Sequence, residues 1–376
     1  MKAIINANVV LKDKILANHT VIFNDKIIEI KHSEHVEYSF ETIDGKELYL
    51  IPGLIDQHIH GYMGYDAMDS DVDGLKDMAQ ALLANGVTGF LPTTVTMDNN
   101  SIKNCLLSIK AAMESDYRGA RILGAYLEGP YLSSEKKGAH EAQYIRKPQK
   151  EFVQQFLDII KIITLAPNQS SDFIAWCTDR GIKVSLGHSA ITYDDAYTAF
   201  NQGASQVTHL FNGMSGIHHQ DPGLAGAALL HPDVKVELIA DTIHVRKELF
   251  PLIYRTKGAK DIILISDCMR AGGMPAGNYK LGNLDVVTDE KSARLANGSL
   301  AGSIIILNKA VHLFETYGCI PKYKAIAMAS YNPACNLGLE NECGSIERGL
   351  RADLALVNDK MDVKLTIING EIVYRL

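Results

Sequence analysis

The sequence contains no CxxC pair, and its six cysteines (Cys105, Cys177, Cys268, Cys319, Cys335 and Cys343) are scattered. That spacing argues against a thiolate zinc site or a disulfide framework and suits free thiols in a reducing compartment. No apolar run is long enough to cross a bilayer. The opening Met1-Lys2-Ala3-Ile4-Ile5-Asn6 lacks the apolar stretch and small-residue cleavage site of a secretory leader. A cytoplasmic protein with no membrane partner is expected. Long basic runs are also missing and the formal net charge is -7, which excludes nucleic acid as a partner. A small anionic substrate is not excluded, because a local cluster can override the net charge.

What is present is a chain of 376 residues, 47% apolar and 22% charged, enough for a large core. Residues 1–52 read as short strands, with Val21-Ile22-Phe23 and Lys26 to Ile30 flanking a hairpin turn at Asn24-Asp25. The end, 344–376, is similar: Asp353 to Val357, then Val363 to Val373 broken at Asn369-Gly370. Neither end could bury a sheet face alone, so the two are expected to pair into one small β-sandwich domain. Between them, over 53–343, apolar strands alternate with helical stretches such as Leu75 to Ala84, Phe173 to Arg180 and Asp194 to Asn201. Strands are read near Leu54-Ile55, Gly89 to Leu91, Ile122 to Leu127, Ile160 to Leu165, Lys183 to Leu186, Gln206 to Thr208, Val234 to Ala240 and Ile262 to Ile265. The fold class is α/β, and eight alternations match a (β/α)8 barrel. The stretches 129–148 and 271–302 are longer than connectors and are read as substrate-holding loops.

Ligand-type residues fall at the carboxyl ends of these strands, where barrel active sites are built. His58 and His60 are two apart, so on an extended backbone both side chains share one face and can bind one ion. Glu128 ends the third strand, His188 the fifth, His209 the sixth and Asp267 the eighth. Each has a structural reading of its own: a turn-capping Glu128, core-satisfied histidines, an N-capping Asp267. Packing does not explain why strand after strand ends in a metal-competent residue. Imidazoles and carboxylates without thiolate suit zinc, iron, manganese or cobalt. Such an ion lowers the pKa of bound water and polarises a carbonyl, and a carboxylate beside it can move the proton to a leaving amine. Asp267, the last strand-end carboxylate, is the candidate for that step.

Other motifs extend the pattern along nearly the whole chain. They include Pro52-Gly53-Leu54-Ile55-Asp56, Leu127-Glu128-Gly129-Pro130, Lys137-Gly138-Ala139-His140, Gly187-His188-Ser189 and Thr208-His209-Leu210-Phe211-Asn212. Asp221-Pro222-Gly223-Leu224-Ala225-Gly226, Ala240-Asp241 before His244, Ser266-Asp267, Leu300-Ala301-Gly302-Ser303 and Asn332-Pro333-Ala334 follow. In these motifs the sequence resembles the N-acetylglucosamine-6-phosphate deacetylases of the amidohydrolase superfamily. The resemblance implies that Glu128, His188 and His209 hold a principal ion and that Asp267 is the acid/base. With His58 and His60 both present, a second ion bridged by Glu128 is chemically possible. It also places His140 near the acetyl carbonyl, His244 near the sugar, and Asn212 and the Gly213 N–H near the phosphate. A homodimer acting on a phosphosugar is implied as well. Many members carry an arginine just before the acidic-Pro-Gly triplet, in a loop that can reach the neighbouring subunit; here the stretch is His218-His219-Gln220-Asp221. Gln220 cannot supply a guanidinium fork, and His219 is the nearest substitute. Arg270 is either a further phosphate donor or a solvated loop charge. N-acetylgalactosamine 6-phosphate is the alternative substrate. A cyclic-amide hydrolase would typically have a carboxylated lysine where Glu128 stands, and a non-catalytic homologue would have lost ligands that are all present here.

Overall fold

Residues 1–33, 38–46, 48–167 and 171–376 are described by a computed structural model, in which a curled parallel sheet lies beside a second sheet built from both chain ends. The parallel strands are β1 Leu54–Ile59, β2 Val87–Pro92, β3 Ala125–Leu127, β4 Ile160–Leu165, β5 Lys183–Leu186, β6 Gln206–Val207, β7 Lys235–Ile239 and β8 Ile262–Ile265. Pairing is continuous from β3 to β8, and β1 pairs with β2. A parallel bridge between Thr93 and Tyr126 links β2 to β3. At the far edges the Asp267 N–H donates to the His58 carbonyl at 2.9 Å, and the His60 N–H to Cys268 at 2.9 Å. Every residue of β1, β2 and β8 is buried, as in a parallel sheet covered on both faces.

The helices form where apolar residues recur at helical spacing and a cap stands in front. In Val72–Leu82, Leu75, Met78, Ala79 and Leu82 are buried, and the Asp71 carboxylate accepts from the Asp73 N–H at 3.1 Å. The cap explains why this helix starts three residues before the periodic pattern does. Tyr193–Asn201 begins after Thr192, whose hydroxyl accepts from the Asp195 N–H at 3.2 Å. The third expected helix is Ser171–Thr178.

Two expected elements differ. The strand expected from Ile122 to Leu127 is split into Arg121–Ile122, paired with β2, and β3, paired with β4. Between them Gly124 takes φ +140°, and a Cβ there would sit 2.6 Å from the Ile159 carbonyl oxygen, so only glycine lets the chain change partners. The stretch 271–302 is not a plain loop. Gly277–Leu281, Leu284–Thr288 and Ala293–Arg294 form an antiparallel sheet with an apolar cluster of its own, including Leu281, Val286 and Ala293 against Val95 and Met269. Gly282-Asn283 makes its first turn, a hairpin signal that the polar outer face obscures.

The chain ends pair as expected, through antiparallel contact of Leu354–Val357 with Tyr49–Pro52. Among the described residues hydrogen bonding there joins eight strands into one sheet, seven along a single path and Glu41–Asp44 paired to Lys2–Val10 off it, rather than the two separate sheets of a sandwich. Residues 34–37 and 47 of the expected 1–52 segment lie outside the described residues. A separate apolar cluster, with Ile4, Phe23, Leu50, Leu354 and Ile367, holds this sheet, each such side chain contributing about 1.5–3 kcal/mol by leaving water. The turn at Asn369-Gly370 has φ +50° and +73°, the pattern of a tight hairpin.

Candidate metal centre

The carboxyl ends of β1, β3, β5, β6 and β8 meet around Glu128, which is 2% exposed. His58 lies on β1 itself, because that strand runs on to Ile59, and His60 follows it. Glu128 has a different pair of imidazoles at each oxygen. Its Oε1 is 3.1 Å from His209 Nε2 and 3.3 Å from His188 Nε2. Its Oε2 is 3.2 Å from His60 Nε2 and 3.6 Å from His58 Nε2. Asp267 Oδ1 closes the second side, 3.1 Å from His60 Nε2 and 3.4 Å from His58 Nε2. His188, His209 and Asp267 leave their strands with φ of +46°, +31° and +49°, left-handed conformations that cost non-glycine residues about 1–3 kcal/mol each. Those turns aim the side chains inward.

Tautomers follow from the partners on the other ring nitrogen, since a carbonyl or carboxylate oxygen only accepts. His188 Nδ1 donates to the Lys136 carbonyl at 2.9 Å, and His209 Nδ1 to the Asn212 carbonyl at 3.1 Å. His60 Nδ1 donates to the Thr93 carbonyl at 3.2 Å, and His58 Nδ1 to Glu237 Oε2 at 3.1 Å. In the neutral rings all four Nε2 atoms therefore point lone pairs inward, at carboxylate oxygens or at each other. The Nε2 atoms of His188 and His209 are 3.1 Å apart, and buried His58 Nε2 has no hydrogen-bond partner. Acceptors facing acceptors need positive charge between them, as protons on Nε2 or as a metal ion, and six inward ligand groups around one point fit a metal.

Proton affinities follow the same geometry. Burial pushes His60 down, but hydrogen bonds to Asp267 and Glu128 hold it up at about 9. Burial raises Glu128, yet His58 and the surrounding imidazoles pull it well below the usual carboxylate range. Burial likewise raises Asp267, and His60 and His58 outweigh it. His140 is the exception. Its Nδ1 accepts from the Thr96 N–H at 3.2 Å, and burial, helped by neighbouring His188, lowers it to about 4. It is thus neutral with the proton on Nε2, 3.6 Å from Glu128 Oε2. Proximity alone groups His140 with Glu128 and His188. The tautomer makes it a donor into the site, and His209 completes that side instead.

Behind the centre lies a polar network that the sequence reading missed. Glu237, on β7, is fully buried and accepts from Gln57 Nε2 at 2.7 Å and Gln206 Nε2 at 3.0 Å on Oε1. The Tyr126 hydroxyl donates to its Oε2 at 3.4 Å. Asn336 Nδ2 donates to the carbonyls of Gln57 and Gln206 at 3.1 and 2.7 Å. The available signal was a carboxylate inside the apolar run Val236-Glu237-Leu238-Ile239.

A cavity of about 330 Å3 opens above the centre. His60, Glu128, His140, His188, His209, Asn212, Gly213, His244 and Asp267 line it, so most of the expected site residues come together. His244 Nδ1 donates to Asp241 Oδ2 at 2.6 Å, which turns its Nε2 away as the free ring atom. His219 and Gln220 do not line the cavity of this chain; both are exposed. Arg270 is neither a phosphate donor in the cavity nor a solvated charge: it pairs with Asp69 at 2.7 Å and with buried Asp66 at 3.3 Å. No lysine or arginine is among the residues that line the cavity.

The Amidohydrolase family profile matches residues 49–373. An N-acetylglucosamine-6-phosphate deacetylase of Bacillus subtilis is 38% identical over 97% of this chain and 95% of its own length. An N-acetylgalactosamine-6-phosphate deacetylase of Escherichia coli O157:H7 is 36% identical over 86% of this chain and 87% of its own. Among solved structures, an N-acetylglucosamine-6-phosphate deacetylase of Thermotoga maritima superposes with a TM-score of 0.91 at 33% identity, covering all of both chains. With its acidic and imidazole residues gathered at the strand ends and these likenesses along its length, the chain belongs to the amidohydrolase family, in the branch of the N-acetylglucosamine-6-phosphate deacetylases.

Proposed function

We propose that this chain hydrolyses the acetamide of N-acetyl-D-glucosamine 6-phosphate to glucosamine 6-phosphate and acetate. The observation that carries the reading is the inward lone pairs of His58, His60, His188 and His209 around the carboxylates of Glu128 and Asp267. His188, His209 and Glu128 would hold a principal ion; His58, His60 and Asp267, sharing Glu128, would hold a second. Zinc, iron, manganese or cobalt bound there lowers the pKa of water towards neutrality and polarises an amide carbonyl.

The chain's own residues do the rest. Asp267, kept ionised by its imidazole neighbours, takes a proton from the attacking water and passes it to the departing nitrogen. His140 donates its Nε2–H to the acetyl oxygen, where negative charge develops. His244 holds the sugar, and Asn212 with the Gly213 N–H holds the phosphate end. In the same reading the curled sheet is a (β/α)8 barrel over 53–343, and 1–52 with 344–376 form a small β domain. The enzyme is a cytoplasmic homodimer: among the described residues no lysine or arginine lines the cavity, and exposed His219 and Gln220 lie on a segment available to a second copy.

The test is acetate release from N-acetylglucosamine 6-phosphate, its galacto epimer and the free sugar, with and without chelator. Fastest turnover on the gluco phosphosugar, lost on chelation and restored by metal, is expected. Equal rates with and without the phosphate, or turnover indifferent to chelator, would overturn it. The Escherichia coli relative's name supports a second reading, the galacto epimer, with the same catalytic set; the faster epimer decides.

A further inference from the structure

We propose that Glu237 is a positioning residue that, through His58, sets the occupancy of the His58–His60–Asp267 half of the centre. This rests on the metal-dependent reading above. Glu237 is fully buried, and none of its hydrogen-bond partners is a lysine or arginine. A carboxylate there gains a counter-charge through the His58 ring, from an ion on its far side.

The surrounding protons leave one arrangement open. Asn336, on the helix Tyr331–Leu337, donates to the carbonyl oxygens of both Gln57 and Gln206. With those oxygens engaged, both glutamines turn their NH2 groups to Glu237 Oε1. Oε2 is left for His58 Nδ1 and the Tyr126 hydroxyl. Glu237 thus accepts on both oxygens, its charge is matched by donors, and the His58 proton is fixed on Nδ1. The Nε2 lone pair is thereby reserved for the cluster. Polarised chains of this kind strengthen along their length.

Replacing Glu237 by glutamine keeps the shape but frustrates the pattern. If the new amide oxygen faces His58, its NH2 meets the NH2 groups of Gln57 and Gln206. If it faces the glutamines, its NH2 meets Nδ1, and the His58 proton must move to Nε2, where it blocks the ion. Both outcomes act on one half of the centre and not on His188 or His209, whose Nδ1 atoms rest on main-chain carbonyls.

The experiment titrates metal-depleted wild type, Glu237→Gln and Asn336→Leu with cobalt(II) by calorimetry. Metal content is read by elemental mass spectrometry and folding by thermal melts. Wild type is expected to take two ions. In Glu237→Gln one of them binds about 10–100-fold more weakly and the other is unchanged. Asn336→Leu frees the two glutamines without touching His58, so it weakens the same ion by a smaller factor and decides the matter if Glu237→Gln does not fold. A folded variant that binds ions as wild type does, or weakens both alike, overturns the proposal. Wild type that takes up no divalent ion overturns instead the metal-dependent reading on which it rests.

Discussion

The two sides of Glu128 carry the same donor types on different supports. On one side His58 sits on a fully buried strand and leans on another carboxylate, Glu237, inside the sheet. On the other, His188 and His209 stand just past strand ends in left-handed conformations and lean on the carbonyls of Lys136 and Asn212. His58 is fixed by side chains drawn from four distant stretches of the sequence, whereas His60, His188 and His209 rest on main-chain carbonyls. Substitutions should therefore injure the two sides by different routes: through the polar interior for His58, and through loop geometry for His188 and His209.

The most severe way to break this comparison is Glu128→Gln, which replaces one of the two shared oxygens by an NH2 group and removes the negative charge. Metal content is expected to fall to near zero with acetate release, and retention of either ion would show the sides to be independent. Next is Asp267→Asn, which should keep an ion on the His188–His209 side while turnover drops roughly 10²–10⁴-fold; near-normal rates would take Asp267 out of the mechanism. Gly213→Ala sharpens the contrast from the loop side. Gly213 has φ +57°, and a Cβ there would lie 2.9 Å from His188 Nδ1. It should cost about 1 kcal/mol or more in stability and weaken only the ion held by His188; a melt combined with a cobalt titration reads both. Arg270→Gln should do least to substrate binding. Its partners Asp66 and Asp69 hold it away from the cavity, so KM for the phosphosugar should stay unchanged, and a clear rise would return Arg270 to phosphate binding.

Much of the centre was legible because its signals are local. His58 and His60 share a face through the two-residue repeat of a strand, and Glu128, His188 and Asp267 each close a short run that reads as a strand on its own, with His209 after the more polar Gln206-Val207-Thr208. What stayed hidden depends on distance. Gln57, Gln206, Glu237 and Asn336 converge from separate elements, and no spacing among them marks a network. The partners of Arg270 lie two hundred positions upstream, so a paired ion looked like a free one. His140 was reached only through the family resemblance, and the proton on its Nε2 follows from the Thr96 N–H, which only the folded backbone supplies. The hairpin at Gly277–Leu281 and Leu284–Thr288 was missed although Gly282-Asn283 announces it, because its strands are apolar on one face over a very short span.

That small antiparallel sheet has a practical use. It contributes Leu281 to the cavity wall, and the turn after it brings Ser299, Leu300 and Gly302, while its apolar face closes against Val95 and Met269. It is a cassette beside the chemistry in that none of the residues read as cation ligands lies on it. Exchanging the cassette for one of another length or polarity should reshape which acyl groups are admitted while the cation ligands stay in register, and so gives protein engineers a handle on selectivity that leaves the catalytic inventory intact.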